Sequence, residues 1–380
     1  MYDILSLFSG IGGLDLGFEG GFLVHKKSIK NNDFIVSNSK IYKDFVLLKK
    51  NNFRTIFSND IEKKCKQIYI KNINIIPNNY VVDSIVNLIN NQYNFPKADV
   101  ILGGFPCKDF SIAGKRLGLK SSKNHFGIND KKEARRGTLY KTMIQIIQKV
   151  QPKIFIAENV SGLKSMPNNL LDTIRNDFEQ TNNMNYHVIL WDIYAPDFGV
   201  PQTRKRIFFV GLQKKIYEQN PELYDELLKL DKIFENDDFV SVNNYISYLK
   251  EPDESQDESQ QNYSKAKFLS KGQGQIEIKL QGLSPTIRAE HHGNIEYRRK
   301  TKEHGGIYQE ELNNNLIERR LTVRECANIQ TFPPNFKLVN KKEKLSTSAC
   351  YKYIGNAVPP LLGFYIAQNI HKILDYEKSK

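Results

Sequence analysis

Seven short apolar runs punctuate the first 211 residues of the chain: Ile4–Phe8, Thr55–Ser58, Val81–Val82, Val100–Leu102, Ile154–Ala157, Val188–Leu190 and Ile207–Val210. Stretches with helical spacing lie between several of them, among them Ile61–Lys71, Leu139–Val150 and Asn169–Gln180. Strands that alternate with helices predict an open α/β fold with a mostly parallel sheet. Residues 26–50 interrupt the rhythm with Lys, Asn and Ser and read as a surface insertion. From Leu212 the alternation stops, and Tyr353–Ile370 returns as an apolar helix able to pack back on the first region. The pattern therefore predicts one domain over 1–211, completed by 346–380, and a smaller one over 212–345.

Composition narrows the class. No run approaches the roughly twenty apolar residues that span a bilayer, and Met1–Ser6 enters a strand-like run without a basic leader. The chain reads as soluble and cytoplasmic, with no membrane partner. The cysteines Cys65, Cys107, Cys326 and Cys350 form no CxxC pair and have no His at ligand spacing, so no metal site is expected. The 55 Lys and Arg against 42 Asp and Glu leave a net charge of +13. The excess is local: residues 108–136 hold nine basic against three acidic side chains, residues 212–270 seven against thirteen. A basic stretch of this kind suits a polyanion. The acidic run Glu251–Ser259 has the composition of a solvated loop or linker.

Chemistry enters with four motifs. Phe8-Ser9-Gly10-Ile11-Gly12-Gly13-Leu14-Asp15 ends a strand in glycines, where backbone N–H groups can approach a nucleotide-like ligand. Asp60 and Asp83 follow the next two strands; each is either a helix N-cap or an acceptor, Asp60 for ribose hydroxyls and Asp83 for an adenine edge. Gly103-Gly104-Phe105-Pro106-Cys107 puts a cysteine at the carboxyl end of a strand, where open α/β sheets bind ligands. Attack on a weakly electrophilic carbon needs a thiolate and a partner that protonates the substrate as the bond forms. Cys107 suits the first task; Glu158, in Ala157-Glu158-Asn159-Val160, is either a helix cap or a protonated carboxyl suited to the second. Arg204 and Arg206 alternate on one face where a strand begins, either as a surface basic cluster or as groups that hold a substrate's carbonyl oxygen and nearby phosphates.

In this order the motifs resemble the DNA cytosine-5 methyltransferase family, of the bacterial type II restriction-modification kind. FSGIGGLDLGF from Phe8, GGFPC through Cys107, GTLY from Gly137 and ENV from Glu158 are followed by QTRKRIFFVG from Gln202, RLTVRECANIQTFP from Arg320 and YKYIGNAVPP from Tyr351. The resemblance spans Phe8 to Pro360. It implies a Rossmann-like methyltransferase domain with a target-recognition domain beside it and double-stranded DNA in the cleft between them. It also implies S-adenosyl-L-methionine as cofactor, with contacts from Phe8, Gly10, Gly12, Leu14, Asp60, Asp83, Pro106 and Leu139, and with Asn356 and Val358 closing the pocket. Cys107, Glu158, Arg204 and Arg206 become the catalytic set. The cytosine is flipped out of the duplex, and the stretch 108–136 corresponds to the loop that closes over it, with Ser111, Lys115, Arg135 and Arg136 facing DNA. Lys108 stands where the family usually has Gln, and 121–134 looks inserted, which puts the details of loop closure in doubt.

The segment 212–316 matches no shared motif, as a target-recognition region should. Arg288, Asn294 and Arg298, in the run from Ser284 to Arg299, are its candidates for base-edge and phosphate contacts. A tRNA-modifying relative of the superfamily is the nearest alternative, and the long segment between Gly211 and Arg320, roomy enough to read duplex sequence, speaks against it. An inactive DNA-binding subunit predicts loss of Cys107, Glu158 or the arginines, all of which are present. A nicotinamide dehydrogenase needs G-x-G-x-x-G at the first turn, where this chain has G-x-G-G. The expected assembly is a monomer, paired with a cognate restriction endonuclease without forming a stable complex.

Overall fold

The computed structural model describes residues 1–106, 139–180, 185–235, 238–265, 277–289, 297, 299–338 and 345–379. Its strands are β1 (Tyr2–Leu7), β2 (Leu23–His25), β3 (Ile35–Asn38), β4 (Phe45–Leu48), β5 (Phe53–Asp60), β6 (Tyr80–Val82), β7 (Val100–Gly104), β8 (Ile154–Val160), β9 (Tyr186–Tyr194) and β10 (Lys205–Gln213). The helices that frame the sheet are α1 (Gly13–Glu19), α2 (Lys63–Asn72), α3 (Ile85–Asn90), α4 (Leu139–Val150) and α5 (Leu170–Glu179). Short helices α6 (Lys214–Tyr217), α7 (Pro221–Leu227), α8 (Val242–Ile246), α9 (Glu258–Gln261), α10 (Glu310–Asn313) and α11 (Val323–Ile329) follow, then α12 (Thr347–Asn356) and α13 (Pro360–Lys378).

Why the apolar runs are continuous is visible in the sheet. Val100, Leu102, Ile154 and Ile156 join one buried cluster, while Ile101, Phe155 and Ala157 between them join another on the opposite face. A strand covered on both sides needs apolar residues at every position. The seven strands lie in the order β6-β5-β1-β7-β8-β10-β9, parallel except β10, which runs antiparallel to both of its neighbours. The chain moves outward from β1 to β5 and β6, then returns to the other side of β1 as β7. That reversal opens a crevice at the carboxyl ends of β1 and β7, where doubly wound sheets bind ligands.

Three readings of the sequence need correction. The insertion at 26–50 is more than surface: β2, β4 and β3 form a three-stranded sheet, and Phe45, Val46 and Leu48 are buried in the main core. The apolar helix expected over Tyr353–Ile370 is two helices, because Pro359 and Pro360 interrupt the backbone ladder after Asn356. The second of them does pack on the first region. A Cβ on Gly17 of α1 would lie 2.4 Å from the Pro360 carbonyl oxygen of α13, so only glycine permits the approach.

The acidic run is the third. Pro252 and Ser259 are buried, Asp253 and Glu254 are exposed, and two acids of the run, Glu251 and Asp257, neutralise buried arginines. Glu251 takes both Arg299, in a pair closed by Nη2 at 2.6 Å from Oε1, and Arg319. Asp257 takes Arg324 at 2.6 Å. The ring of Tyr297 lies 4.7 Å and 4.1 Å from the guanidinium carbons of Arg299 and Arg319. Burial works against the Glu251 charge, yet the two arginines hold its carboxyl below the usual range. Buried cations require such partners. Glu251→Gln is therefore expected to lower unfolding free energy by about 3 kcal/mol, the low end for a broken buried pair, as read from urea denaturation. A loss under about 0.5 kcal/mol, the size of an ordinary surface change, would contradict it.

Candidate active site

The crevice holds a cavity of about 230 Å³. Its floor is the turn after β1. Phe8 adopts φ 54°, and the chain then folds back through a bond from the Gly12 N–H to the Ser9 carbonyl at 2.9 Å. Ser9 ties this turn to β5, donating its N–H to the Asn59 carbonyl at 2.9 Å and accepting the Asn59 N–H on Oγ at 3.1 Å. A Cβ on Gly10 would meet nothing within 4 Å, so the turn borders open space.

Of the residues expected to bind cofactor, Phe8, Gly10, Leu14, Asp60, Asp83, Pro106, Asn356 and Val358 all line this cavity. Asp60 accepts the Gly10 N–H on Oδ2 and the Glu62 N–H on Oδ1, both at 2.9 Å. Burial pushes its carboxyl upward, and the two amides restrain the shift. Neither Asp60 nor Asp83 is a helix N-cap: those positions belong to Glu62 for α2 and Ser84 for α3. Asp83 instead accepts from the Ser84 N–H at 2.7 Å and the Asn87 side chain at 2.9 Å.

Two expected contacts lie elsewhere. Gly12 is needed for φ 82° and for packing, since a Cβ there would come 2.1 Å from Ile73 and 2.7 Å from Tyr69. Leu139 has no exposed surface and belongs to the core beneath β7. Sequence reading missed Lys352 of α12 and Glu62, which line the same cavity and pair at 2.6 Å. No local signal links positions 290 apart.

Asp15 was also unremarked, though it lines the cavity and is 1% exposed. Burial, with Glu19 adding to it, raises its carboxyl to about 7, against hydrogen bonds from Ser6 and Tyr69. A folded value above the unfolded one of about 4 means the folded state keeps a proton that the unfolded state releases. This contribution to stability is whole below about pH 4 and is lost as pH rises toward 7. Asp15→Asn is expected to melt higher than the parent at pH 8 and about equally at pH 4.5. Parallel melting curves across that range would contradict it.

The opposite wall comes from β7 and β8. Gly104 pairs with Glu158 across the ladder, and a Cβ on Gly104 would sit 3.2 Å from Glu158 Oε2, so glycine leaves that carboxylate its room. Glu158 is 8% exposed, lines the cavity, and meets Arg206 Nε at 2.7 Å. Asn159 donates to the Phe105 carbonyl at 3.3 Å and ties the residues that follow β7 to β8. The structure thus brings Pro106, Glu158 and Arg206 to one rim.

Arg204 does not join them. It is 1% exposed, and its guanidinium donates to the carbonyls of Ile287, Gly355 and Ala357 at 2.9–3.3 Å. Arg204 precedes β10, which begins at Lys205, so the shared face that alternation within a strand would give it with Arg206 does not form. Its guanidinium serves as a structural clamp where the sequence suggested a group that holds the base. Arg288 is half-buried beside that clamp. Cys107, Lys108, Ser111, Lys115, Arg135, Arg136, Asn294 and Arg298 lie outside the described residues.

The arrangement, a nucleotide-type crevice at a switch point with a carboxylate–arginine pair on its rim, is that of a methyltransferase fold. The solved structures of Entamoeba histolytica methyltransferase EhMeth and the S. pombe Dnmt2 methyltransferase share the fold, each with a TM-score of 0.60. They are 17% and 14% identical, and the matches cover 98% and 99% of this chain and 99% of each of theirs. The chain belongs to the family of C-5 cytosine-specific DNA methylases, whose model matches residues 2–372. It is similar to the type II methyltransferase M.BsuRI of Bacillus subtilis, 31% identical over 381 residues, covering 97% of this chain and 79% of that one. It is also similar to M.FnuDI of Fusobacterium nucleatum, 28% identical over 406 residues, 99% and 96% covered. The protein is accordingly a DNA (cytosine-5) methyltransferase, and the RNA-modifying alternative is the less supported. No described helix is long and apolar enough to cross a membrane.

Proposed function

We propose that the protein methylates carbon 5 of a flipped-out cytosine in a specific double-stranded DNA sequence, with Cys107 as nucleophile and S-adenosyl-L-methionine as methyl donor. The observation that carries the reading is the shared rim of the cavity: Glu158, held by Arg206, faces the end of β7 and the residues Phe105 and Pro106 that lead directly to Cys107. The other thiols support it by contrast. Cys65, Cys326 and Cys350 are buried and free, and burial pushes each of them up, Cys350 to about 12, so none is a thiolate at neutral pH.

The cavity fits an adenosyl group with a charged amino-acid tail. Asp60 and Asp83 present acceptor oxygens suited to a ribose diol and an exocyclic amine, Phe8 and Leu14 supply apolar surface, and Asn356 and Val358 close the wall. Bound there, the cofactor supplies an electrophilic methyl group. The Cys107 thiolate adds to carbon 6 while Glu158 delivers a proton to N3, and Arg206 keeps that carboxyl aimed. The electron-rich carbon 5 so formed would take the methyl group as that group's bond to the cofactor's sulfonium sulfur breaks, leaving S-adenosyl-L-homocysteine. A base then removes the carbon-5 proton, the carbon 6–sulfur bond breaks, Cys107 leaves as thiolate, and N3 returns its proton to Glu158.

The residues 212–316 read the flanking bases in this account, and the basic stretch 108–136 meets the phosphate backbone. We place the enzyme in the cytoplasm as a monomer, the modification half of a restriction-modification pair. Enzymatic or bisulfite sequencing of plasmid DNA from cells expressing the chain tests the reading. Conversion-resistant cytosine confined to one short sequence is expected; cytosines left unmodified throughout, or modified without sequence preference, would overturn it.

A further inference from the structure

The buried Arg204 clamp has a consequence beyond holding the fold. Its planar fork spans two segments: Ile287 belongs to the run 284–289, while Gly355 and Ala357 lie at the end of α12. Ala357 and its neighbours Asn356 and Val358 line the cavity. The run 284–289 is pinned from the same side. The Thr203 N–H donates to the Ser284 carbonyl at 2.9 Å, and the Ile287 N–H to Gln202 Oε1 at 3.2 Å. Gln202 in turn donates to Gln330 at 2.5 Å, and Gln330 to the Ala357 carbonyl at 2.5 Å. The seam has no slack, because a Cβ on Gly355 would lie 2.4 Å from the Arg288 carbonyl carbon. A shift of 284–289 must therefore move 355–357 or break these bonds.

We propose that Arg204 is a positioning residue that couples the DNA-reading segment to the cofactor pocket, so that duplex and adenosylmethionine each tighten the binding of the other. The inference rests on the proposed function in one respect: the cofactor occupies the cavity lined by Asn356–Val358, and the segment containing 284–289 meets DNA. A contiguous network with both sites on it is the physical basis of such coupling, and linkage makes it reciprocal. Lysine keeps the charge at this position but lacks the fork that reaches three carbonyls.

The test titrates S-adenosylhomocysteine by calorimetry into enzyme alone and into enzyme holding a duplex with the sequenced target site. The unaltered protein is expected to bind it about tenfold tighter with duplex present, within the usual range of coupling. In Arg204→Lys the ratio is expected to fall to about twofold or less while affinity without DNA stays within about threefold. A ratio of one in the unaltered protein, or an undiminished ratio in the variant, overturns the inference. Hydrogen exchange on the unaltered protein serves if the variant does not fold. Saturation with S-adenosylhomocysteine is expected to slow exchange at the amides of Ile287 and Arg288, and unchanged exchange there also overturns it. Sequencing of the plasmid settles methylation independently, so an active enzyme without coupling loses this inference alone.

Discussion

Replacing Cys107 by serine is expected to remove methyl transfer while leaving DNA and cofactor binding within a few-fold of the parent. A hydroxyl at neutral pH is a far weaker nucleophile than a thiolate, and carbon 6 of cytosine does not yield to it. The rate should fall by about a thousandfold or more. Incorporation of radiolabelled methyl groups into plasmid DNA reads the loss, and residual transfer within tenfold of the parent contradicts the assignment. Cys326→Ser is the control. That thiol is 1% exposed in α11, and its replacement should leave the rate nearly unchanged.

Glu158→Gln is the second large effect. The amide keeps the size of the side chain and can donate a hydrogen bond to N3, but it cannot transfer a proton there. It also gives up the ionic part of the contact with Arg206. Single-turnover rate should drop by about a hundredfold or more, in the range of lost general-acid catalysis, while duplex affinity changes little. The loss then falls on the transition state rather than on binding. An unchanged rate with tenfold weaker binding would show Glu158 to be a binding or structural group.

Much of this was legible in the sequence, for reasons that can be named. Strands buried on both faces leave continuous apolar runs, so all seven strands of the large sheet were placed, each somewhat shorter than it is. Strand ends that carry chemistry are written in glycine and proline, which is why the sequence alone sets Phe8–Gly13 and Gly103–Pro106 there.

What stayed hidden was partnership over distance. The acids of 251–259 read as a solvated loop because their arginines lie 48 to 68 residues away, and composition cannot report a pairing. Arg204 stood out by its place in a motif, yet nothing in Gln202–Arg206 says which way a side chain turns. Its partners are backbone carbonyls 83 to 153 residues on. The helix break at Pro359 was masked by apolar residues on both sides of it, and the Phe45–Leu48 strand by the Lys and Asn around it.

The most direct measurement of the central claim uses DNA copied with 5-fluorodeoxycytidine triphosphate in place of the normal nucleotide, so that every candidate cytosine carries fluorine at carbon 5. Once the methyl group has been added, no proton remains there to be removed, and the carbon 6–sulfur bond cannot break by elimination. The enzyme, supplied with S-adenosylmethionine, is expected to form a complex that survives denaturant, and peptide mass mapping should place the nucleotide on Cys107. No such complex, or an adduct on Cys65, Cys326 or Cys350, would contradict the account.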